Sequence, residues 1–234
     1  MKDKMTFEVC TDSFEGALAA EKYGAKRIEL CQALNVGGLT PNYGLIQQCA
    51  LGSKVEVHAM IRHKEGGFVY DDQDVEIMKK DILASKNAGA KGVVFGILDS
   101  DNTISLKNKE LAELSKELRL EVTFHRAFDF VPDPDKAIKT IIEYGFDRLL
   151  TSGKEESALK GLPLISKLQQ KYGGQIQIMA GSGVNAVNAL KIASSGVKNL
   201  HFTARKSTNR PVMLSMGELM LVDEEKIRSI TAMF

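Results

Sequence analysis

One phrase returns four times along the chain: YGAKRIEL from Tyr23, AGAKGVVF from Ala88, YGFDRLL from Tyr144 and SGVKNLHF from Ser195. Each copy has a glycine closing a helical pattern, a polar residue two positions later, and then an apolar run. Glycine suits the left-handed position that stops a helix, and so short a turn feeds the chain directly into a strand. A glycine after one helix is commonplace, but four copies before every second strand form a pattern. The β-branched or aliphatic runs that read as strands are 6–10, 27–31, 55–61, 92–98, 120–126, 147–152, 175–181 and 199–204. Between them lie amphipathic stretches at 13–23, 75–87, 109–118, 135–144, 162–172 and 186–195, with apolar residues at helical spacing. Serial strand–helix units predict a parallel sheet, and eight of them predict a closed (β/α)₈ TIM barrel. No Pro/Ser-rich linker interrupts residues 1–234, so a single domain is expected, with the barrel proper over about 6–205 and a C-terminal extension over 206–234.

Charge and cysteine content narrow the function classes. Thirty-one Lys and Arg against thirty Asp and Glu leave a formal charge of +1, with no basic excess to bind phosphate backbones. Nucleic-acid and membrane-surface partners are therefore disfavoured. No apolar run approaches the roughly 20 residues of a membrane span, and MKDKMTFEVC passes straight into a strand pattern without a signal region. Three cysteines, an odd number, argue against a disulfide framework and for a reducing, cytoplasmic setting.

Parity along the strands predicts what fills the barrel. The outer strand face must be apolar to pack on helices, while the inner face carries function near the C-terminal ends. In strand 3, Val55, Val57, Ala59 and Ile61 share one face, and Glu56, His58, Met60 and Arg62 the other. The same alternation turns Phe7 and Val9 outward and Glu8 and Cys10 inward. It places Ile28 and Leu30 outside with Glu29 and Cys31 inside. On strands 5 and 8 it directs Thr123, His125, His201 and Thr203 to the lumen. Such a concentration of ionisable groups is costly to bury unless they pair with one another or serve a ligand.

Several of these segments resemble the CutC family: FEVC at Phe7, RIELC at Arg27, GGLTP at Gly37, the Ile61-Arg62 pair with GGF ending at Phe68, TFHRAFD at Thr123, LLTSG at Leu149 and MAGSGV at Met179. The resemblance runs from about residue 7 to 205. It implies a TIM barrel, a cytoplasmic location, a role in copper homeostasis, and Cu(I) binding at Cys10 and Cys31. Two positions depart from the family pattern. His63-Lys64 stands where the family usually has Pro-Arg, and His201-Phe202-Thr203-Ala204 replaces a serine by threonine while keeping the hydroxyl.

Two chemistries then compete for one cavity. Cys10 and Cys31 end adjacent strands with matching parity, and two soft thiolates select Cu(I). Met60 offers a third soft donor. Glu8 and Glu29, two residues away on the same faces, are expected to hold the empty site's thiols protonated. The plainer alternative is that both cysteines are small hydrophobes filling the mouth. Cys49, on a helical stretch, reads as core. The competing chemistry is enzymatic. Glu8, Glu29 and His125 would be general acid and base, with Arg62 and Arg126 as anion clamps. Asp129 would orient His125 or Arg126, or cap the next helix. Gly181, Ser182 and Gly183 after strand 7, Ser152 and Gly153 after strand 6, and Thr203 on strand 8 would supply donors to a small anionic or phosphorylated substrate. Oxygen ligands from Glu8, Glu29 and Asp129 with His125 would alternatively hold a divalent metal. A homo-oligomer stays open, the segment after Arg205 either sealing the barrel or making a subunit contact.

Overall fold

The computed structural model describes residues 5–211 and 218–234. Strands β1 (Thr6–Thr11), β2 (Arg27–Leu30), β3 (Glu56–Met60), β4 (Gly92–Phe95), β5 (Glu121–Phe124), β6 (Arg148–Thr151), β7 (Gln177–Ala180) and β8 (Asn199–Thr203) close on themselves in chain order. All neighbours are parallel, including β8 with β1. The connecting helices are α1 (Phe14–Lys22), α2 (Tyr43–Gly52), α3 (Asp72–Asn87), α4 (Lys107–Glu117), α5 (Pro134–Glu143), α6 (Leu162–Tyr172) and α7 (Ala189–Ala193). The predicted TIM barrel is the observed fold.

The recurring phrase has one geometry in all four copies. Gly24, Gly89, Gly145 and Gly196 have φ of 79°, 101°, 81° and 91°, a region where a side chain would be strained. In the first three copies the following N–H reaches back to the helix's last turn (Ala25 to Ala20, Ala90 to Ser85, Phe146 to Ile141). The polar residue after it then donates its N–H to the preceding strand: Lys26 to Phe7, Lys91 to Val57 and Asp147 to Val122. The phrase therefore ends a helix and begins the next parallel pairing within a few residues.

Outward strand residues such as Val9, Ile28, Val57, Val93, Val122, Leu149, Ile178 and Leu200 are buried against the helices and form the main core. Cys49 on α2 belongs to that core. Apart from β1, which extends one residue further to Thr11, the strands are shorter than their apolar runs suggest. The 92–98 run leaves the barrel after Phe95, and the 120–126 run bends after Phe124 into a 3-10 turn at Arg126–Phe130. The 186–195 pattern contributes only Ala189–Ala193, because Asn188 and Asn185 side chains bond Gly183 O and build a turn instead.

After β8 the chain forms an antiparallel hairpin, β9 (Arg205–Pro211) and β10 (Glu218–Val222), and then α8 (Glu224–Thr231). Residues 212–217 of the Met- and Leu-rich stretch lie outside the described residues. Helix α8 buries Ile227 and Ile230 and rests beside α1, where Glu224 meets Lys22 and Tyr23. It thus takes the place of the eighth barrel helix, and the hairpin is an insertion before it.

Gly161, at the start of α6, lies against the β6 loop, and a Cβ there would sit 1.9 Å from Ser152 O and 2.8 Å from Gly153 Cα. Backbone cannot yield as a side chain can, so Gly161→Ala is expected to destabilise by about 1–3 kcal/mol. A thermal melt should show a loss of several degrees. An unchanged Tm would mean that this contact is not tight.

Candidate metal centre

The lumen is polar because its strands carry charge on the inward parity. Glu8 is fully buried; its Oε2 accepts from Arg27 Nε at 2.9 Å and its Oε1 meets His201 Nδ1 at 2.8 Å. Burial opposes ionisation, yet His201 and Arg27 hold Glu8 well below the usual carboxylate range. Arg27 also donates to Asn199 Oδ1 at 3.1 Å. Arg148 donates to Thr123 Oγ1 at 3.0 Å, Glu121 Oε2 at 2.8 Å and Gln177 Oε1 at 3.1 Å. Neither arginine was picked out from the sequence. Carrying the alternation of Glu29 back two residues, and applying it to strand 6, identifies both.

His58 sits among these charges with no hydrogen bond to either ring nitrogen, its Nε2 3.8 Å from Glu121 Oε2. Burial pushes it down to about 4, against the pull of Glu8, so it is neutral in the folded protein. The unfolded chain takes up that proton near the ordinary histidine value, 6.5, and the folded chain only near 4. This contribution therefore lowers stability as pH falls through that window, by at most about 1.4 kcal/mol per pH unit. His58→Gln is expected to flatten the slope of unfolding free energy between pH 6.5 and 4. Parallel slopes for the two proteins would contradict a neutral buried His58.

Above this network, toward the C-terminal strand ends, the cysteines meet. One ligand atom each from Cys10, Glu29 and Cys31 lies within 4.8 Å of the others, and so does one each from Glu8, Glu29 and His201. Cys31 Sγ lies 3.6 Å from Glu29 Oε2, and His201 Nε2 stands 3.8 Å from the same oxygen. Met60 and Val94 pack against the two cysteines, with Leu34 beside them. Glu29 Oε1 is buried without a hydrogen-bond partner.

Protonation divides unevenly over the cluster. The hydrogen bond from Cys31 pushes Cys10 down to about 5, overcoming burial with help from His201. The same contact, with burial, pushes Cys31 up. Glu29 is pushed up by burial and by the neighbouring Cys10 sulfur. Burial works against a charged His201, but Glu29, Cys10 and Glu8 hold it well above its ordinary value. The expectation of two protonated thiols thus holds for Cys31 and not for Cys10, where donors outweigh the carboxylates. These shifts favour a thiolate at Cys10 and a proton on His201, whose ring Glu8 orients.

The centre forms part of the wall of a cavity of about 920 Å³ that also reaches Arg62, His125, Arg126, Ser182, Gly183 and Thr203. His125 accepts from Ala127 N at Nδ1 (3.3 Å), and burial, then Arg62, pushes it down to about 3. Asp129 stands elsewhere. It accepts from Arg126 Nε at 2.9 Å, Thr151 Oγ1 at 2.5 Å, and the N–H groups of Ser152 and Lys154. It therefore latches the loop after β5 to the loop after β6, and Asp133 caps α5. Ser152 joins that latch, and Gly153 N donates to Thr151 Oγ1 at 2.9 Å. Gly181 N pairs with Thr151 O in the sheet. Neither cluster that could hold a metal among the described residues includes Asp129 or His125, and both Glu8 oxygens are taken by Arg27 and His201. Asp129 and His125 thus do not join Glu8 and Glu29 in one oxygen-rich set, and His201 stands with those two glutamates instead.

The sequence model of the CutC family matches residues 5–206. A family protein CutC from Vibrio cholerae is 44% identical over 210 residues, covering 89% of this chain and 82% of its own. The human copper homeostasis protein cutC homolog is 42% identical over 241 residues, 96% of this chain and 87% of its own. A crystal structure of the putative copper homeostasis protein CutC from Streptococcus agalactiae superposes with a TM-score of 0.77 at 34% identity, covering 85% of this chain and 98% of that one. On the strength of that match, and of relatives above 40% identity along most of their length, the chain belongs to the CutC family.

Proposed function

We propose that this chain is a copper homeostasis protein that binds Cu(I) through Cys10 and Cys31 at the mouth of its barrel. The observation that carries the reading is the donor set: two cysteine sulfurs and a Glu29 oxygen within 4.8 Å of one another. Metal–thiolate bonds are about 2.3 Å long, so two sulfurs that close can share one ion. Soft sulfur donors at low coordination select Cu(I) over harder cations. Met60 supplies a third soft neighbour, and the unpartnered Glu29 Oε1 marks a place where the centre is incomplete by itself. Bound there, Cu(I) would be held by the sulfurs as cargo. Loading would release the proton of Cys31, whose thiol is pushed up in the metal-free centre.

The human relative is named as a copper homeostasis protein cutC homolog. The three cysteines are free thiols, which fits the reducing cytoplasm as the working compartment. No helix among the described residues is long and apolar enough to cross a membrane. The reading is tested by titrating Cu(I) into the protein against a chromogenic Cu(I) chelator. One equivalent should be withheld from the chelator, and Cys49→Ser should withhold it equally. Full capture by the chelator at every ratio would remove Cu(I) binding as the function.

A further inference from the structure

The cavity over the sulfurs is far larger than one ion needs. At about 920 Å³ it falls at the upper end of pockets that enclose small organic molecules. Its walls are apolar at Leu34, Phe68, Phe130, Leu150 and Phe202, and Arg62, Arg126, Arg205 and Lys226 line it together with His201. Glu29 is the one carboxylate among its lining residues. Arg126 is neutralised by Asp129, and Arg205 lies 3.2 Å from Asp12.

Arg62 differs from both. It is 5% exposed, and no ion pair to it occurs among the described residues. Its Nη1 donates to Val36 O and Gly38 O, each at 3.0 Å, and its Nη2 to Gly66 O at 2.7 Å. A guanidinium has five N–H groups, so those carbonyls leave one on Nη2 and the one on Nε. The Nε atom is buried and has no partner. With Nε buried, Nη2 is the nitrogen left with an N–H for a carboxylate or phosphate oxygen. Burial pushes the Tyr70 phenol up, against the charge and hydrogen-bonding pull of the neighbouring Arg62, so Tyr70 stays neutral and leaves the guanidinium's charge uncompensated. A staple for the loops at 36–38 and 66 needs only the three bonds it makes. A buried, uncompensated positive charge on a cavity wall is costly unless a ligand answers it.

We infer that the cavity binds a small organic molecule with an oxyanion head, phosphate or carboxylate, received by Arg62, and an apolar body lying along Phe68, Phe130 and Leu150. The site stands apart from the copper reading, since neither sulfur is needed to receive the head.

Phenyl phosphate is a suitable probe, titrated calorimetrically into the full-length protein, with inorganic phosphate and benzyl alcohol as its separate halves. Phenyl phosphate should bind roughly tenfold tighter than either half, as a charge-assisted pair combined with apolar burial requires. Arg62→Gln should weaken it roughly tenfold or more, with Arg62→Lys in between. Thr203→Trp, an exposed position on the cavity wall, should weaken it by obstruction. The inference is overturned if phenyl phosphate binds no tighter than its halves, or if folded Arg62→Gln keeps wild-type affinity. Should Arg62→Gln not fold, wild-type affinity in Thr203→Trp overturns it instead.

Discussion

Arg27→Met should lower stability by on the order of 3–5 kcal/mol, the usual consequence of leaving a buried charge without its partner. Arg27 and Glu8 are 1% and 0% exposed and 2.9 Å apart, so no water can stand in for the lost guanidinium. Met fills much of the arginine's volume, which isolates the electrostatic loss from a cavity effect. Asn199 Oδ1 loses its donor in the same step. His201 still pairs with Glu8, which places the expected value toward the lower end of the range. For a chain of this size the Tm should fall by roughly 10 °C. A change below about 1 kcal/mol would mean that the lumen admits water and that the network is a solvated one. The experiment bears on function as well, because Glu8 orients His201 and His201 borders the sulfurs.

Replacing Cys10 and Cys31 together by Ser should abolish Cu(I) retention against the chelator, since two hydroxyls of similar size offer hard donors to a soft ion. Each single replacement leaves one sulfur and should give weakened, not absent, binding. His201→Gln changes no sulfur but removes a cation beside Cys10, and a loss of roughly 10- to 100-fold is expected, as for other hydrogen-bonding neighbours of metal ligands. Circular dichroism should show the barrel intact in all of them. Undiminished affinity in the double variant would place the ion elsewhere in the protein.

The barrel was legible because its evidence is local and repeated. Alternating side chains sort each strand by parity, and the four glycine turns mark helix ends without reference to distant residues. The same parity led to Glu8, Cys10, Glu29, Cys31, Met60 and His201, which the structure brings together. Asp129 was less legible, since its partners Thr151, Ser152 and Lys154 are 22 to 25 residues away and only the closed barrel brings those two loops together. Arg62 illustrates the same limit. Its partners are carbonyls of neighbouring loops, groups that every residue carries and no sequence pattern marks. The protonation of Cys10 also escaped, because a count of nearby carboxylates omits the Cys31 S–H and His201, whose positions come from strand register. Helix α8 follows a hairpin that breaks the strand–helix rhythm, which hides it as an appendage.

X-ray absorption at the copper edge of the Cu(I)-loaded protein examines the thiolate centre at the atoms concerned. The predicted first shell contains two sulfurs at about 2.3 Å, the length of a metal–thiolate bond, and loses them in the Cys10→Ser, Cys31→Ser double variant. A first shell of nitrogen and oxygen alone, or one that the double substitution leaves unchanged, would contradict copper binding by these two cysteines.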